Sequence, residues 1–186
     1  MNNLIKIYKT SPYTEYKNKT EFNESTIGSN VYGEITQKGT NDLVKHFKSY
    51  FNSNTVFYDL GSGLGKMVLH IGIQYRIKKS IGIEYSNERH QGAIDLQKQY
   101  ASKYNNIQFY KGNFLTHNLS NATVIYIDNT CLESKLMEKL YSKFPKNCLI
   151  LYKKQFSFLS NEVQNVEQNL IERTYNQKVL RWVIKK

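Results

Sequence analysis

Between Thr55 and Lys153 short runs rich in Val, Ile and Tyr alternate with stretches whose apolar residues recur at helical spacing. The pattern predicts strands over Thr55 to Leu60, Ser80 to Glu84, Ile107 to Lys111, Thr123 to Asp128 and Cys148 to Lys153. Between them it predicts helices over Lys66 to Tyr75, Asn87 to Tyr104 and Glu133 to Phe144. Upstream, Leu43, Val44, Phe47 and Phe51 also fall at helical spacing, with Thr40 or Asn41 available as the amino cap, so a helix leads into the first strand. Strands alternating with helices imply an α/β domain with a doubly wound, mainly parallel sheet. The end of the chain breaks the alternation. There NLIERTY and KVLRWVI flank Asn176 and Gln177 and read as an antiparallel hairpin on the sheet edge. Residues 1–30 are polar, dotted with tyrosine and aperiodic, and read as an amino-terminal arm lying on the domain or partly disordered. Residues 31–186 read as the domain itself.

Composition narrows the class more than the fold. A chain of 186 residues with 40% hydrophobic and 22% charged residues is long enough to bury one core and fits a soluble globular protein. Lys and Arg number 26 against 15 acids, a formal charge of +11, which favours a polyanionic partner such as nucleic acid or a DNA-wrapped particle. The bland alternative is a surface that is simply lysine-rich. Cys131 and Cys148 have no Cys or His partners at metal-binding spacing, so they read as reduced thiols and no metal site is expected. The amino terminus lacks an apolar signal core, and no segment approaches the about 18 apolar residues of a membrane span. An intracellular protein without membrane insertion is the expectation.

The stretch VFYDLGSGLGKMVLHIG, Val56 to Gly72, carries the chemistry. In open α/β sheets ligands sit beyond the carboxyl ends of the strands, and this glycine turn follows the first strand. A phosphate-cradling loop fails, because the residue five before Gly65 is Leu60 and Lys66 is followed by Met67. A dinucleotide fingerprint is weakened, since its third glycine position is Lys66. The spacing Asp59-x-Gly61-x-Gly63-x-Gly65 instead ends the strand in a carboxylate, which would repel a pyrophosphate and attract an ammonium group. S-adenosylmethionine carries such a group. Glu84, ending the second strand, is placed to accept both ribose hydroxyls, with Tyr85 beside it. After the third strand, Asn113 offers an amide to the adenine edge and Phe114 a ring to its face. Against this stands the reading that the glycines are structural and the acids solvated.

The upstream stretch NVYGEITQKGTNDLV, Asn30 to Val44, together with DLGSGLGKMVL, resembles the Dot-one (disruptor of telomeric silencing) histone-lysine methyltransferases. The likeness continues through IGIEYSNERH, GNFL and ATVIYIDNTCLESKLMEKL, about residues 30 to 156. It implies a class I S-adenosylmethionine-dependent methyltransferase fold, Rossmann-like and outside the SET class, in a compact catalytic domain of viral or protist type. By position, Val31, Tyr32, Gly33 and Glu34 would close over the methionine moiety, with Glu34 near its ammonium. Asp59, Gly61 and Gly63 would hold the amino-acid end, Glu84 with Tyr85 the ribose, and Asn113 with Phe114 the adenine. Asp128 falls where the family places an asparagine beside the transferring methyl. Tyr32 and Trp182 would wall the lysine channel, making Asp128, Tyr32 and Trp182 the catalytic set.

Besides Asp128, three departures stand out. Lys66, counted among the cofactor contacts, replaces the family's glutamine; Asn113 replaces its aspartate; Leu132 replaces an aromatic residue. The family's helical amino-terminal lobe has no counterpart before Val31, so docking on a nucleosome would use another surface. The resemblance implies methylation of a histone lysine on the nucleosome core, contact with DNA through the basic surface, and a nuclear or chromatin-containing compartment, that of an infected host cell included. Two other readings stay open. One is methylation of a non-histone protein lysine or of RNA; the other is an inactive methyltransferase fold that binds nucleic acid.

Overall fold

The computed structural model describes residues 3–10, 33–155, 169–171 and 178–185. The strands β1 (Val56–Leu60), β4 (Val124–Ile127) and β5 (Leu149–Tyr152) are buried at every position, which requires cover on both faces. β2 (Lys79–Glu84) pairs parallel with β1, and β3 (Ile107–Lys111) with β2. On the other side of β1 the parallel ladder continues through β4 and β5. β7 (Lys178–Ile184) then runs antiparallel to β5, and β6 (Asn169–Ile171) antiparallel to β7. The order is β3-β2-β1-β4-β5-β7-β6. The chain therefore winds outward from β1 on one side, crosses back, and winds outward from β4 on the other. The carboxyl ends of β1 and β4 form the switch point where α/β sheets bind ligands. The doubly wound sheet and the antiparallel end pair are as the residue pattern predicts; the turn at Asn176 and Gln177 lies outside the described residues.

Strand alternation sorts the core into two layers. Phe57, Val124, Tyr126, Leu149 and Leu151 face α1 (Asn3–Lys9), α2 (Gln37–His46), α3 (Lys66–Gln74) and α4 (Asn87–Tyr100). Tyr58, Leu60, Ile125, Ile127, Ile150 and Tyr152 face α5 (Ser134–Ser142), through Met137 and Leu140. Two expectations need correcting. Asn3–Lys9, read as part of an aperiodic arm, is a helix that lies on the domain with Leu4 and Ile7 buried in the first layer, Ile7 completely. The helix before β1 starts earlier than Asn41, because Thr36 is its cap, accepting from Gly39 N at 3.0 Å. Thr40 is instead buried inside the helix and meets Tyr8.

A polar network sits under α1. The Tyr8 hydroxyl lies 3.0 Å from both Thr40 Oγ1 and His70 Nδ1, and His70 Nε2 lies 3.1 Å from Asn41 Oδ1. An amide oxygen only accepts, so Nε2 carries the proton and Nδ1 accepts from the tyrosine. Burial pushes the His70 pKa down to about 4 and the Tyr8 phenol up, so both are neutral.

Candidate active site

The turn after β1 is drawn against β2: Gly61 N and Ser62 N both donate to the Ile83 carbonyl, at 2.8 and 3.1 Å. Gly61, Gly63 and Gly65 all have positive φ, at 85, 55 and 70°. The first and last glycines nevertheless differ in purpose. A Cβ on Gly65 would stand 2.3 Å from the Phe109 ring, so this glycine packs the turn onto β3. A Cβ on Gly61 would meet nothing within 4 Å, so the backbone there faces open space. Beside it Asp59 is buried at the end of β1. Ser62 is 8% exposed, and its Oγ has no hydrogen-bond partner among the described residues.

Glu84, which ends β2, is 5% exposed. Its Oε2 accepts from Gly63 N and its Oε1 from Ser86 N, each at 2.8 Å. Two backbone donors thus orient the carboxylate while each oxygen keeps a further lone pair for a ligand. Ser86 also caps α4 through Arg89 N. Tyr85 lies under the Lys111 ammonium, 5.2 Å from ring centroid to Nζ. On the first turn of α4, His90 has a buried Nδ1 without a partner among the described residues. Burial lowers its pKa, the Lys111 charge lowers it further, and Glu84 opposes both. Sequence reading singled out neither Ser62 nor His90; the position of Ser62 inside the turn was the only available signal.

At the end of β3, Asn113 turns its Oδ1 onto its own loop, accepting from Leu115 N at 2.8 Å. Phe114 is buried in the α5-side layer. Val31 and Tyr32 lie outside the described residues, and Gly33 and Glu34 open the second described segment. Lys66, the first residue of α3, is buried and donates to Glu34 Oε2 at 2.7 Å and to the Thr10 carbonyl at 2.6 Å. Its side chain is 3% exposed and that of Glu34 10%. The substituted lysine therefore ties the Glu34 loop and the end of α1 to the glycine turn.

Past β4, Asp128 Oδ1 accepts from Thr130 N and Thr130 Oγ1, at 3.2 and 2.6 Å, and Oδ2 pairs with Lys153 Nζ at 3.2 Å. The fully buried neighbour is Asn129, unnoticed in the sequence. Its Oδ1 accepts from Lys153 N and Lys154 N, and its Nδ2 donates to the Lys154 carbonyl. Trp182 lies on β7 opposite Leu151, its ring edge-on to Phe47 at 5.8 Å between centroids. Trp182 thus packs on the face of the sheet covered by α2. Leu132 packs on the opposite layer.

Sheet order, glycine turn and strand-end acids define a class I S-adenosylmethionine-dependent methyltransferase fold. An RNA methyltransferase from Salinibacter ruber, solved with S-adenosyl-L-homocysteine, superposes with a TM-score of 0.65 at 19% identity, over 82% of this chain and 94% of that one. The chain belongs to the family of the histone methylation protein DOT1, whose model matches residues 8–183. Among its relatives is the H3 lysine-79 specific histone-lysine N-methyltransferase of Drosophila melanogaster, 26% identical over 61% of this chain and 7% of that protein. A protein-lysine N-methyltransferase of Saccharolobus islandicus is 30% identical over 48% of this chain and 58% of the relative. The match thus spans only part of either relative.

Proposed function

We propose that this chain transfers a methyl group from S-adenosylmethionine to a lysine side chain, and that the lysine belongs to a histone in the nucleosome core. The observation that carries the reading is the Glu84 carboxylate, buried, aimed by Gly63 N and Ser86 N, and left with acceptor capacity suited to a ribose diol. The rest of the cleft fits the same cofactor. The backbone of Gly61 faces open space, the Ser62 hydroxyl lacks a partner among the described residues, and the acids Asp59 and Glu84 favour an ammonium over a pyrophosphate.

When bound, S-adenosylmethionine supplies a methyl carbon made electrophilic by positive sulfur. Asp59 and Glu34 hold its amino-acid end, Glu84 its ribose, and the loop of Asn113 and Phe114 its adenine. By the family likeness, Val31, Tyr32 and Gly33 contact the same cofactor. That placement covers the ends of β1, β2 and β3 and leaves the ends of β4 and β5 for the acceptor. The acceptor must arrive as the neutral amine, whose ordinary pKa is about 10.4. Desolvation at those strand ends lowers that value, and in-line positioning does most of the catalysis. The histone substrate rests on the family and on the named activity of the Drosophila relative; it implies work in the nucleus, on chromatin, with the basic surface against DNA.

Nucleosomes, free histones and RNA incubated side by side with labelled cofactor test the proposal. Label on a histone lysine of the nucleosome is the expected result. Label confined to RNA would replace it.

A further inference from the structure

Asp128 and Lys153 lie side by side just beyond the register pair of Ile127 with Tyr152, at the carboxyl ends of β4 and β5. Lys153 Nζ stands 3.2 Å from Asp128 Oδ2, and the lysine side chain is 10% exposed against 33% for the acid. The lysine is held at its root. Asn129 Oδ1 accepts from Lys153 N and Lys154 N at 2.8 and 2.7 Å, and Arg181 on β7 donates to the Lys153 carbonyl. A buried amide with its hydrogen bonds made leaves the backbone of Lys153 little freedom. Around the pair, Arg181 adds a second cation. The Tyr152 phenol is neutral because burial raises its pKa, while Lys154, Glu133 and Cys131 are exposed. Lys153 therefore faces the Asp128 carboxylate, with Arg181 held on the Lys153 carbonyl, at the strand ends proposed above for the acceptor.

An unpaired carboxylate at that place would hold an incoming lysine in its ammonium form, which has no lone pair to attack with. A neutralised carboxylate flanked by positive charge does the reverse. We propose that Lys153 is a positioning residue for the acceptor: its ammonium neutralises Asp128, so that the substrate lysine meets no uncompensated carboxylate and enters the reaction as the free amine. The acceptor proton passes to water before transfer. The nitrogen lone pair then forms the new N–C bond as the C–S bond breaks, its electron pair going to sulfur, and the product leaves as a methylammonium. This inference rests on the functional reading above, since it needs a lysine acceptor.

The test is the pH dependence of kcat/KM for nucleosome methylation by wild type, Lys153→Met and Lys153→Arg, with cofactor affinity measured alongside by calorimetry. Lys153→Met is expected to move the ascending limb up by about one pH unit, which means a roughly ten-fold loss at neutral pH. Cofactor affinity should hold, and Lys153→Arg should keep the wild-type limb. If Lys153→Met does not fold, Lys153→Gln, which keeps polarity without charge, carries the same expectation. A slower variant whose limb coincides with that of wild type reduces Lys153 to a structural part and overturns the inference alone. A wild type that binds cofactor but methylates no lysine overturns the functional reading and this inference together.

Discussion

Glu84 serves fold and ligand with one carboxylate. It terminates the β1 turn through Gly63 N and the start of α4 through Ser86 N, and in doing so it is aimed before any ligand arrives. Removing it outright would orphan two backbone donors, so Glu84→Gln is the cleaner probe. Losing a charge-assisted hydrogen bond is worth about 1.5–3 kcal/mol, and calorimetry should find S-adenosylmethionine binding at least about ten-fold weaker with the fold kept. Unchanged affinity would remove Glu84 from the site. His70 makes a different kind of prediction. Its folded pKa of about 4 lies below the ordinary 6.5, so the unfolded chain takes up the proton first as pH falls. Stability present above pH 6.5 is thus lost as pH drops toward 4, by an amount on the order of 3 kcal/mol. Thermal melting of wild type against His70→Asn should diverge across that window, and parallel curves would contradict the assignment.

At the scale of elements, α1 is the piece that depends most on its neighbours. Seven residues are too few to be stable alone, so the helix exists because Leu4 and Ile7 are taken into the layer against α2, α3 and α4. Its end is bonded to Lys66 through the Thr10 carbonyl, and Lys66 in turn holds Glu34. Docking of α1, the Glu34 loop and the glycine turn are therefore joined by one ammonium group. Ile7→Ala removes a side chain with no exposed surface and should cost about 2–5 kcal/mol. Urea denaturation measures it; a midpoint equal to wild type would mean that α1 is undocked in solution. Gly65 shows the same dependence on neighbours, since the side chain it excludes would strike Phe109 on β3.

For the whole molecule the governing quantity is the charge of +11. If that excess docks the protein on wrapped DNA, counterion release makes methylation of nucleosomes fall steeply between about 50 and 200 mM salt. Activity on a short lysine peptide should hardly respond over the same range. Equal salt dependence on the two substrates would remove DNA from the interface and leave a protein-lysine enzyme without nucleosome docking.

The alternation of strands and helices, the turn between Asp59 and Lys66 and the acid ending β2 were all legible in the chain, because each is a short-range pattern: period, glycine spacing, and the last residue of a strand. The mainly parallel sheet followed from the same alternation, since parallel strands need crossovers, whereas the strand order is decided by the tertiary structure. What tertiary structure alone decided are the partnerships across sequence. Lys66 meets Glu34 from 32 residues away, and Lys153 meets Asp128 from 25. Asn129 became the clamp of β5 only once β4 and β5 lay in register. Burial then settled what charge and polarity mean at each point. A lysine that reads as a surface cation is closed in with a carboxylate, and a polar, tyrosine-dotted start to the chain yields a helix because two of its residues have a core to enter.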